Sequence, residues 1–296
     1  METSEQRKGE GLIFLEGFFW AFFPIVTVLS YAKIPSLLSL AWSTLLAGVF
    51  FGCIVLYKRK WHEFKNPLLW KYVLGVVFFI GLLFYGFYFA GLTKTTAGNA
   101  SLIALFEVFT SFIFFHLLRK DTISLEYTIG SLLMVGGATI VLLPNFSEIN
   151  FGDLLILAAT FCAPVGNLFQ QKARKIASSE TILFLRSVLS APLIFFLAYA
   201  LQIQTPFENI QSSWLFLVIN GVIIFGLSKL LWIEAIHRIS VTKAIALNSI
   251  TPLLTILLAW LILEQRPNIW QITSIVPLLL GVFLLMDQLK FKNRTG

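Results

Sequence analysis

The sequence predicts an all-α polytopic membrane protein with ten transmembrane helices arranged as two inverted five-helix repeats. Hydrophobic residues make up 57% of the 296 positions and charged residues only 12%, whereas soluble domains carry about 25% charged residues. The apolar residues form continuous runs and do not alternate with polar ones, which argues against a transmembrane β-barrel. Most lysine and arginine residues lie in short segments between these runs, as in helical membrane proteins.

A transmembrane helix needs about 20 mostly apolar residues, and ten runs meet this length. Polar or helix-breaking segments separate them, for example "KRKWHEFKNP" and "LPNFSEINFGD". The opening "METSEQRKGE" is polar and the run after it is long enough to span, so we interpret that run as a retained helix and not as a cleaved signal peptide. The predicted helices cover residues 12–31, 36–57, 70–92, 97–118, 123–143, 152–172, 179–201, 214–236, 241–263 and 268–288.

The basic residues predict the orientation of the chain. With the N-terminus in the cytosol, 17 of the 22 lysine and arginine residues fall on the cytosolic side and three fall outside. Because positive residues accumulate on the cytosolic side, both termini are predicted to be cytosolic and the protein to lie in the cell membrane. The net charge of +7 follows from this distribution and does not indicate nucleic-acid binding.

The ten helices divide into two sets of five, so residues 1–147 are assigned to the first repeat and residues 148–296 to the second. The segment from Tyr85 to Leu142 can be laid on Lys229 to Met286 with a constant offset of 144 residues. Few residues are identical, but the lengths of the runs and the positions of the breaks agree. Because each half has five helices, the second half enters the membrane from the opposite side. This gives an inverted repeat, which is typical of secondary transporters.

The second half contains a stretch that resembles the EamA-type transporters of the drug/metabolite transporter superfamily. It reads "SVTKAIALNSITPLLTILLAWLILEQRPN" (Ser240–Asn268), in which Pro252 and Glu264 match the mid-helix proline and terminal glutamate of the family. The resemblance covers nearly the whole chain by topology.

The equivalent stretch of the first half departs from the family pattern. It reads "TTAGNASLIALFEVFTSFIFFHLLRKD" (Thr95–Asp121), with Glu107 where the family often has glutamate before proline. Val108 replaces that proline, and Lys120 stands where the terminal glutamate is usual. The resemblance implies a transporter of small metabolites, often an exporter of amino acids, without identifying the substrate.

Helical spacing places polar and aromatic residues on one face of several helices, which should point inward in a bundle surrounded by lipid. Pro24 and Pro164 are expected to interrupt the first and sixth helices, and paired interruptions point to a transporter site. Simple proline kinks would also explain both. The inward faces are Glu16, Trp20, Phe23 and Thr27 in the first helix and Thr160, Pro164, Asn167 and Gln171 in the sixth.

Three charged residues at membrane depth carry the functional interpretation. Lys229 and Arg186 lie about seven residues from the cytosolic ends of their helices, and Glu107 lies near the middle of the fourth helix. A charge that faces lipid costs at least about 2.5–3.5 kcal/mol. We therefore expect all three to face an aqueous cavity, where one acid and two bases leave a spare positive charge for a carboxylate-bearing metabolite. The predicted substrate-binding residues are Trp20, Tyr85, Tyr88, Glu107, Asn167, Arg186, Lys229, Trp232, Asn248 and Thr251.

Alternative roles stay open for these residues. Lys229 and Arg186 are long enough to snorkel to the membrane surface, with Glu107 paired to Arg186 for structure alone. The serine and threonine residues would also serve as helix–helix hydrogen bonds, each worth about 0.6 kcal/mol.

The expected function is secondary transport of a small metabolite, an amino acid or related carboxylate, outward by alternating access. An intramembrane enzyme would need catalytic groups at membrane depth, but His62, His116 and His237 lie at helix ends, and no HExxH or GxSxG motif occurs. A channel would need a selectivity loop. Cationic drug efflux and lipid-carrier flipping remain alternatives, although Lys229 would hinder a cation.

The remaining expectations concern partners. No cofactor or metal is expected; the partners are a small-molecule substrate and the lipid bilayer. Proton coupling and the oligomeric state are left open. The "GVFFG" motif (Gly48–Gly52) is interpreted as close packing within the bundle and not as a dimer interface.

The predicted topology can be tested by cysteine accessibility. In a variant that lacks Cys53 and Cys162, single cysteines at residues 58–65 should react only with reagent on the cytosolic side. Cysteines at residues 145–149 should react only from outside. Labelling of the first set from outside, or of the second only from inside, would refute the topology.

Overall fold

Ten helical segments, α1 to α10 in chain order, form the computed structural model, which describes residues 4–119, 125–142 and 150–285. These residues contain no β-strand. Lys120 and the predicted helix ends at residues 143 and 286–288 lie outside the described residues. The helices are α1 (Ser4–Ala21, continuing as Phe23–Ser30), α2 (Ser36–Tyr57), α3 (Pro67–Leu92), α4 (Ala97–Ala104, continuing as Glu107–Arg119), α5 (Leu125–Leu142), α6 (Phe151–Arg174), α7 (Ser179–Ala200), α8 (Phe207–Arg238), α9 (Val241–Leu247, a 3₁₀ turn at Asn248–Ile250, then Thr251–Leu263) and α10 (Ile269–Leu285).

The helices confirm the predicted fold class, a polytopic helical membrane protein. Eight helices of the described chain are long and apolar enough to cross a membrane, and α5 and α10 contain shorter apolar stretches, Thr128–Val141 and Ile269–Leu284. α1 and α8 begin seven or eight residues earlier than predicted, at Ser4 and Phe207. Hydropathy marks only the part of a helix that lies in hydrocarbon, whereas the helix continues through the polar headgroup region.

The packing partners follow the pairing that an inverted repeat requires. α2 packs along α7 and α5 along α10, so each helix meets its counterpart from the other half. α3 packs against α6 and α7, and α8 packs in the same way against α1 and α2. Exchanging the two halves therefore reproduces these helix contacts. The Gly48–Gly52 motif lies inside the bundle, as interpreted, because Gly48 faces Ser187 and Gly52 faces Phe184 of α7.

Two π-helical segments occupy equivalent positions in the two halves. One covers Val77–Phe84 of α3 and the other Ile219–Ser228 of α8. The sequence offset of 144 maps the first onto residues 221–228. π-Helical segments frequently mark functional sites, and the residues that follow them directly are Tyr85 and Lys229.

The breaks in α4 and α9 are also equivalent. α4 is interrupted at Leu105 and Phe106, which the same offset maps onto residues 249 and 250, within the 3₁₀ turn of α9. Each break directly precedes a polar residue of the predicted site, Glu107 in α4 and Thr251 in α9.

Pro164 does not interrupt α6, contrary to the prediction, because the helix runs unbroken from Phe151 to Arg174. A proline leaves the carbonyl four residues earlier without its usual N–H donor, here the carbonyl of Thr160. Thr110 Oγ1 of α4 donates a hydrogen bond to that carbonyl at 2.6 Å. The hydroxyl replaces the missing donor, which accounts for the unbroken helix. Pro24, by contrast, does follow a break in α1, at Phe22.

Ion pairs link the helices at the end of the bundle where α1 begins. Glu234 of α8 lies 2.9 Å from Arg174 Nε of α6 and 2.6 Å from Arg238 Nη1. Arg238 also pairs with Glu5 of α1 at 3.1 Å. Further pairs at this end are Lys243 with Glu10 and Lys58 with Glu180.

The loop between α2 and α3 caps α7 at the same end. Glu63 accepts hydrogen bonds from the backbone N–H of Ser178 at 3.0 Å and from its hydroxyl at 2.8 Å. Burial by itself would raise the pKa of Glu63, but hydrogen bonds from Thr181 and Ser178 and the charge of Lys60 outweigh it and lower the pKa. The carboxylate therefore fixes this loop to α7.

The opposite end is joined mainly by neutral hydrogen bonds. Gln271 Nε2 of α10 donates to Asn99 Oδ1 of α4 at 2.6 Å, and Gln265 Oε1 accepts from the backbone N–H of Ala97 at 3.1 Å. Thr95 donates to Asp153 of α6. The two ends of the bundle thus differ in the chemistry that holds their helices together.

We expect Thr110→Val to destabilise the bundle, because it keeps the side-chain shape but leaves the Thr160 carbonyl without a donor. The free energy of unfolding should fall by about 1 kcal/mol. Thr139→Val is the matched control, since the exposed Thr139 hydroxyl bonds only to its own helix at Val135. Thermal unfolding of purified protein in detergent compares the two. Equal midpoints for both variants and the wild type would contradict the capping role.

Candidate functional site

All ten residues predicted to bind substrate line one cavity at the centre of the bundle. Helices α1, α3, α4, α6, α7, α8 and α9 contribute to it, so its wall comes from both repeats. The cavity measures about 100 Å³, which accommodates several water molecules but is smaller than the roughly 300–1,000 Å³ of typical ligand sites. A metabolite of more than a few heavy atoms therefore requires the helices to separate.

Lys229 of α8 forms a buried ion pair with Glu16 of α1. Its Nζ lies 2.8 Å from Glu16 Oε1, and the two residues are 8% and 0% exposed. Ser228 Oγ donates to the same oxygen at 3.0 Å, and Asn248 Nδ2 donates to Oε2 at 3.0 Å. Both carboxylate oxygens are thus satisfied, which is the condition for a stable buried charge.

This pair corrects two expectations from the sequence. First, Lys229 does not snorkel to the membrane surface, and it is paired and not unpaired. Second, the charged groups of the cavity are two acids, Glu16 and Glu107, and two bases, Lys229 and Arg186. The expected spare positive charge is therefore missing when all four are ionised. Glu16 lies twelve residues after the start of α1 at Ser4, or about 18 Å along the helix. From the sequence, Glu16 was placed on the inward face of the first helix but was not counted among the charges at membrane depth.

Two indole rings flank the Lys229 ammonium. Its Nζ lies 3.2 Å from the ring centroid of Trp20 and 5.6 Å from that of Trp232. Trp20 is in turn stacked on Phe23, with ring centroids 4.3 Å apart. The electron-rich ring faces stabilise a cation electrostatically and hold Lys229 against Glu16.

Glu107 of α4 is bound by an amide and not by a base. Asn167 Nδ2 donates to Glu107 Oε1 at 3.0 Å. Asn167 Oδ1 accepts from Trp232 Nε1 at 3.2 Å and from Gln170 Nε2 at 2.9 Å, so the amide N–H must point at Glu107. The alternative of a structural pair between Glu107 and Arg186 is wrong, because none of the ion pairs among the described residues joins them.

Arg186 of α7 is buried, 2% exposed, with its guanidinium carbon 5.7 Å from the ring centroid of Tyr85. Its Nη1 finds no hydrogen-bond acceptor in the part of the chain that the structure describes, and no carboxylate there forms an ion pair with it. Burying an uncompensated charge costs free energy. Arg186 is thus the cavity cation whose unpaired N–H donor is available to an anion.

Aromatic side chains pack together beside these charges. Phe23 lies 4.9 Å from Tyr88, and Tyr85 lies 4.4 Å from Phe225, between ring centroids. Phe225 precedes Lys229 by one helical turn. The cluster therefore forms an apolar wall next to the ionic part of the cavity.

Several cavity residues were missed from the sequence. Gln170 lines the cavity, whereas the predicted inward residue Gln171 instead donates to the backbone carbonyl of Ile236 at 3.0 Å. Spacing could have found Gln170, which lies three residues after Asn167. The other lining residues outside the ten predicted ones are Pro24, Ile80, Phe84, Ser101, Ala104, Leu105, Ala163, Ile245, Pro252 and Thr255, of which Pro24 had been named as a pointer to the site.

Two inverted sets of five helices around a central polar cavity define the architecture of a membrane transporter. The model of the EamA-like transporter family matches residues 7–143 and 150–287, one match in each half. The chain belongs to this family, and it is a multi-pass membrane protein.

Curated relatives carry transporter names. An uncharacterized transporter of Synechocystis sp. is 24% identical over 69% of this chain, and one of Methanothermobacter thermautotrophicus is 28% identical over 67%. The match spans 62% and 59% of the lengths of those two relatives. The uncharacterized transporter YoaV of Bacillus subtilis is 20% identical over 93% of this chain and 94% of its own length. A solved crystal structure shares the fold, with a TM-score of 0.73 and 18% identity over 97% of this chain and 99% of that one.

We expect Glu16→Gln to destabilise the protein, because it leaves the Lys229 ammonium buried without its counter-charge. Breaking a buried pair from one side typically costs about 3–5 kcal/mol. The double variant Glu16→Gln/Lys229→Met should recover most of that loss. Glu10→Gln is the control, since its pair with Lys243 is partly exposed and should contribute less than about 1 kcal/mol. Thermal unfolding measures all three, and a double variant less stable than Glu16→Gln would contradict the pairing.

Proposed function

We propose that this EamA-family transporter moves an amino acid or a related small carboxylate across the cell membrane by alternating access. The observation that carries the proposal is Arg186, a buried cation beside the cavity whose Nη1 has no acceptor among the described residues. A guanidinium presents its N–H donors in a planar fork that matches a carboxylate.

In this proposal Arg186, and not Lys229, binds the carboxylate of the substrate. Glu16 already occupies the Lys229 ammonium at 2.8 Å, so a substrate carboxylate there would have to displace a protein carboxylate. Arg186 has no such competitor. Lys229 instead pairs with Glu16 and joins α8 to α1.

Glu107 supplies the complementary charge for an amine. Its one hydrogen bond among the described residues is to the neutral amide of Asn167, so it retains acceptor capacity. A zwitterionic amino acid would place its carboxylate on Arg186 and its ammonium towards Glu107. A cationic drug would leave Arg186 without a partner, which makes drug efflux the weaker candidate.

Alternating access would use the difference between the two ends of the bundle. Opening the end where α1 begins would separate pairs such as Arg238 with Glu5, whereas opening the opposite end would separate neutral bonds such as Gln271 with Asn99. Glu107, with its neutral donor, is the acid suited to exchange a proton during this cycle. We also propose that both termini of the chain are cytosolic and that the substrate is moved outward.

The test is a binding screen on purified protein, followed by Arg186→Gln. Loss of a desolvated charge-assisted contact worth about 1.5–3 kcal/mol should weaken carboxylate binding roughly ten- to a hundredfold. Arg186→Lys keeps the charge but loses the fork, so it should weaken binding less.

Two controls make this result specific. Arg266→Gln removes an exposed arginine that neither lines the cavity nor joins an ion pair among the described residues, and it should leave affinity unchanged. The amine that corresponds to the substrate without its carboxylate should lose no affinity in Arg186→Gln. Equal carboxylate affinities for wild type and Arg186→Gln, at equal folded fraction, would refute the assignment.

A further inference from the structure

Two buried hydrogen-bond donors lie on one face of α7 without acceptors. They are Arg186 Nη1 and Ser190 Oγ, in residues that are 2% and 0% exposed, and neither has a partner among the described residues. Residues four apart share a helix face. Buried donors are almost always paired in proteins, so two unpaired donors on one face call for an explanation.

Gly81 of α3 shows that the two side chains border the same space. A Cβ atom at Gly81 would collide with Ser190 Oγ and would lie 3.8 Å from Arg186 Cγ. The missing side chain leaves room for the serine hydroxyl beside the arginine stem. Gly81 lies in the π-helical segment of α3, so an irregular helix faces this part of α7.

The charges around the cavity leave Arg186 without a direct counter-ion. Glu16 is paired with Lys229 at 2.8 Å, and Glu107 is hydrogen-bonded to the amide of Asn167. A guanidinium has donors only, and a serine hydroxyl rotates to donate where an acceptor is placed. Two donors and one positive charge, shielded from water, suit a small anion that carries no proton.

We propose that Arg186 and Ser190 bind a small monovalent inorganic anion, chloride, when no organic substrate is present. The anion neutralises the buried guanidinium and accepts from both donors. Glu107, across the cavity, repels it, so loss of the Glu107 charge strengthens its binding. A substrate carboxylate on Arg186 displaces it, but the chloride site itself does not depend on the identity of the substrate.

Thermal unfolding in chloride, with no organic substrate, tests the site. Protein exchanged into sodium methanesulfonate, which carries no carboxylate, is titrated with sodium chloride at constant ionic strength. The unfolding midpoint of the wild type should rise with chloride, because a ligand that binds only the folded state stabilises it by mass action. Arg186→Gln should weaken the apparent chloride affinity about tenfold or more, and Glu107→Gln should strengthen it.

Ser187→Ala is the matched control for Ser190→Ala. Both hydroxyls are buried and unpartnered among the described residues, but Ser187 faces Gly48 of α2 on another side of the helix. Ser190→Ala should weaken the chloride response, and Ser187→Ala should leave it as in the wild type. These two variants and Glu107→Gln decide the question even where Arg186→Gln does not fold.

Three results would overturn the proposal. The first is a wild-type midpoint that does not respond to chloride beyond methanesulfonate, which would assign the donors to water. The second is an equal response in Arg186→Gln. The third is an equal loss of response in Ser187→Ala and Ser190→Ala. Because chloride is the only ligand added, none of these results bears on whether the organic substrate is a carboxylate.

Discussion

The constraint on which the structure depends is the burial of four ionisable side chains among helices that cross lipid. One acid and one base, Glu16 and Lys229, satisfy each other at 2.8 Å, with Ser228 and Asn248 completing the carboxylate. This pair joins α1 to α8, hence one half to the other, and removes Lys229 from the groups available to a ligand. Arg186 is left with its charge and an unshared donor, and Glu107 with a neutral amide. Under the proposed function, the ion pair therefore leaves Arg186 and Glu107 as the charges that would recognise a substrate.

A symmetric scaffold produces an asymmetric site. The π-helical segments of α3 and α8 and the breaks of α4 and α9 are related by one sequence offset, and the helix contacts repeat between the halves. The residues at equivalent positions nevertheless differ: Lys229 stands opposite Tyr85, and Thr251 opposite Glu107. The repeats therefore bring unlike groups to one cavity, which supports the proposed substrate with two differently charged ends.

Much of this could be predicted from the sequence, for physical reasons. Lipid forces long apolar helices and inward polar faces, which is why ten helices were predicted and all ten predicted site residues line one cavity. The partner of Lys229 could not be predicted, because Glu16 lies 213 residues away in the chain. The unbroken α6 was missed for a similar reason: the hydroxyl that completes it at Pro164 comes from Thr110 of another helix, which no pattern within α6 reveals. The roles of the ten predicted site residues in substrate binding remain predictions.

The central claim is that Arg186, and not Lys229, receives the carboxylate. A crystal structure of the wild-type protein with the tightest-binding carboxylate from the screen tests it most directly. We expect carboxylate oxygens within hydrogen-bond distance of the Arg186 guanidinium, with the ion pair between Lys229 Nζ and Glu16 intact. A carboxylate bound to Lys229, with the Glu16 pair broken and Arg186 uninvolved, would contradict it.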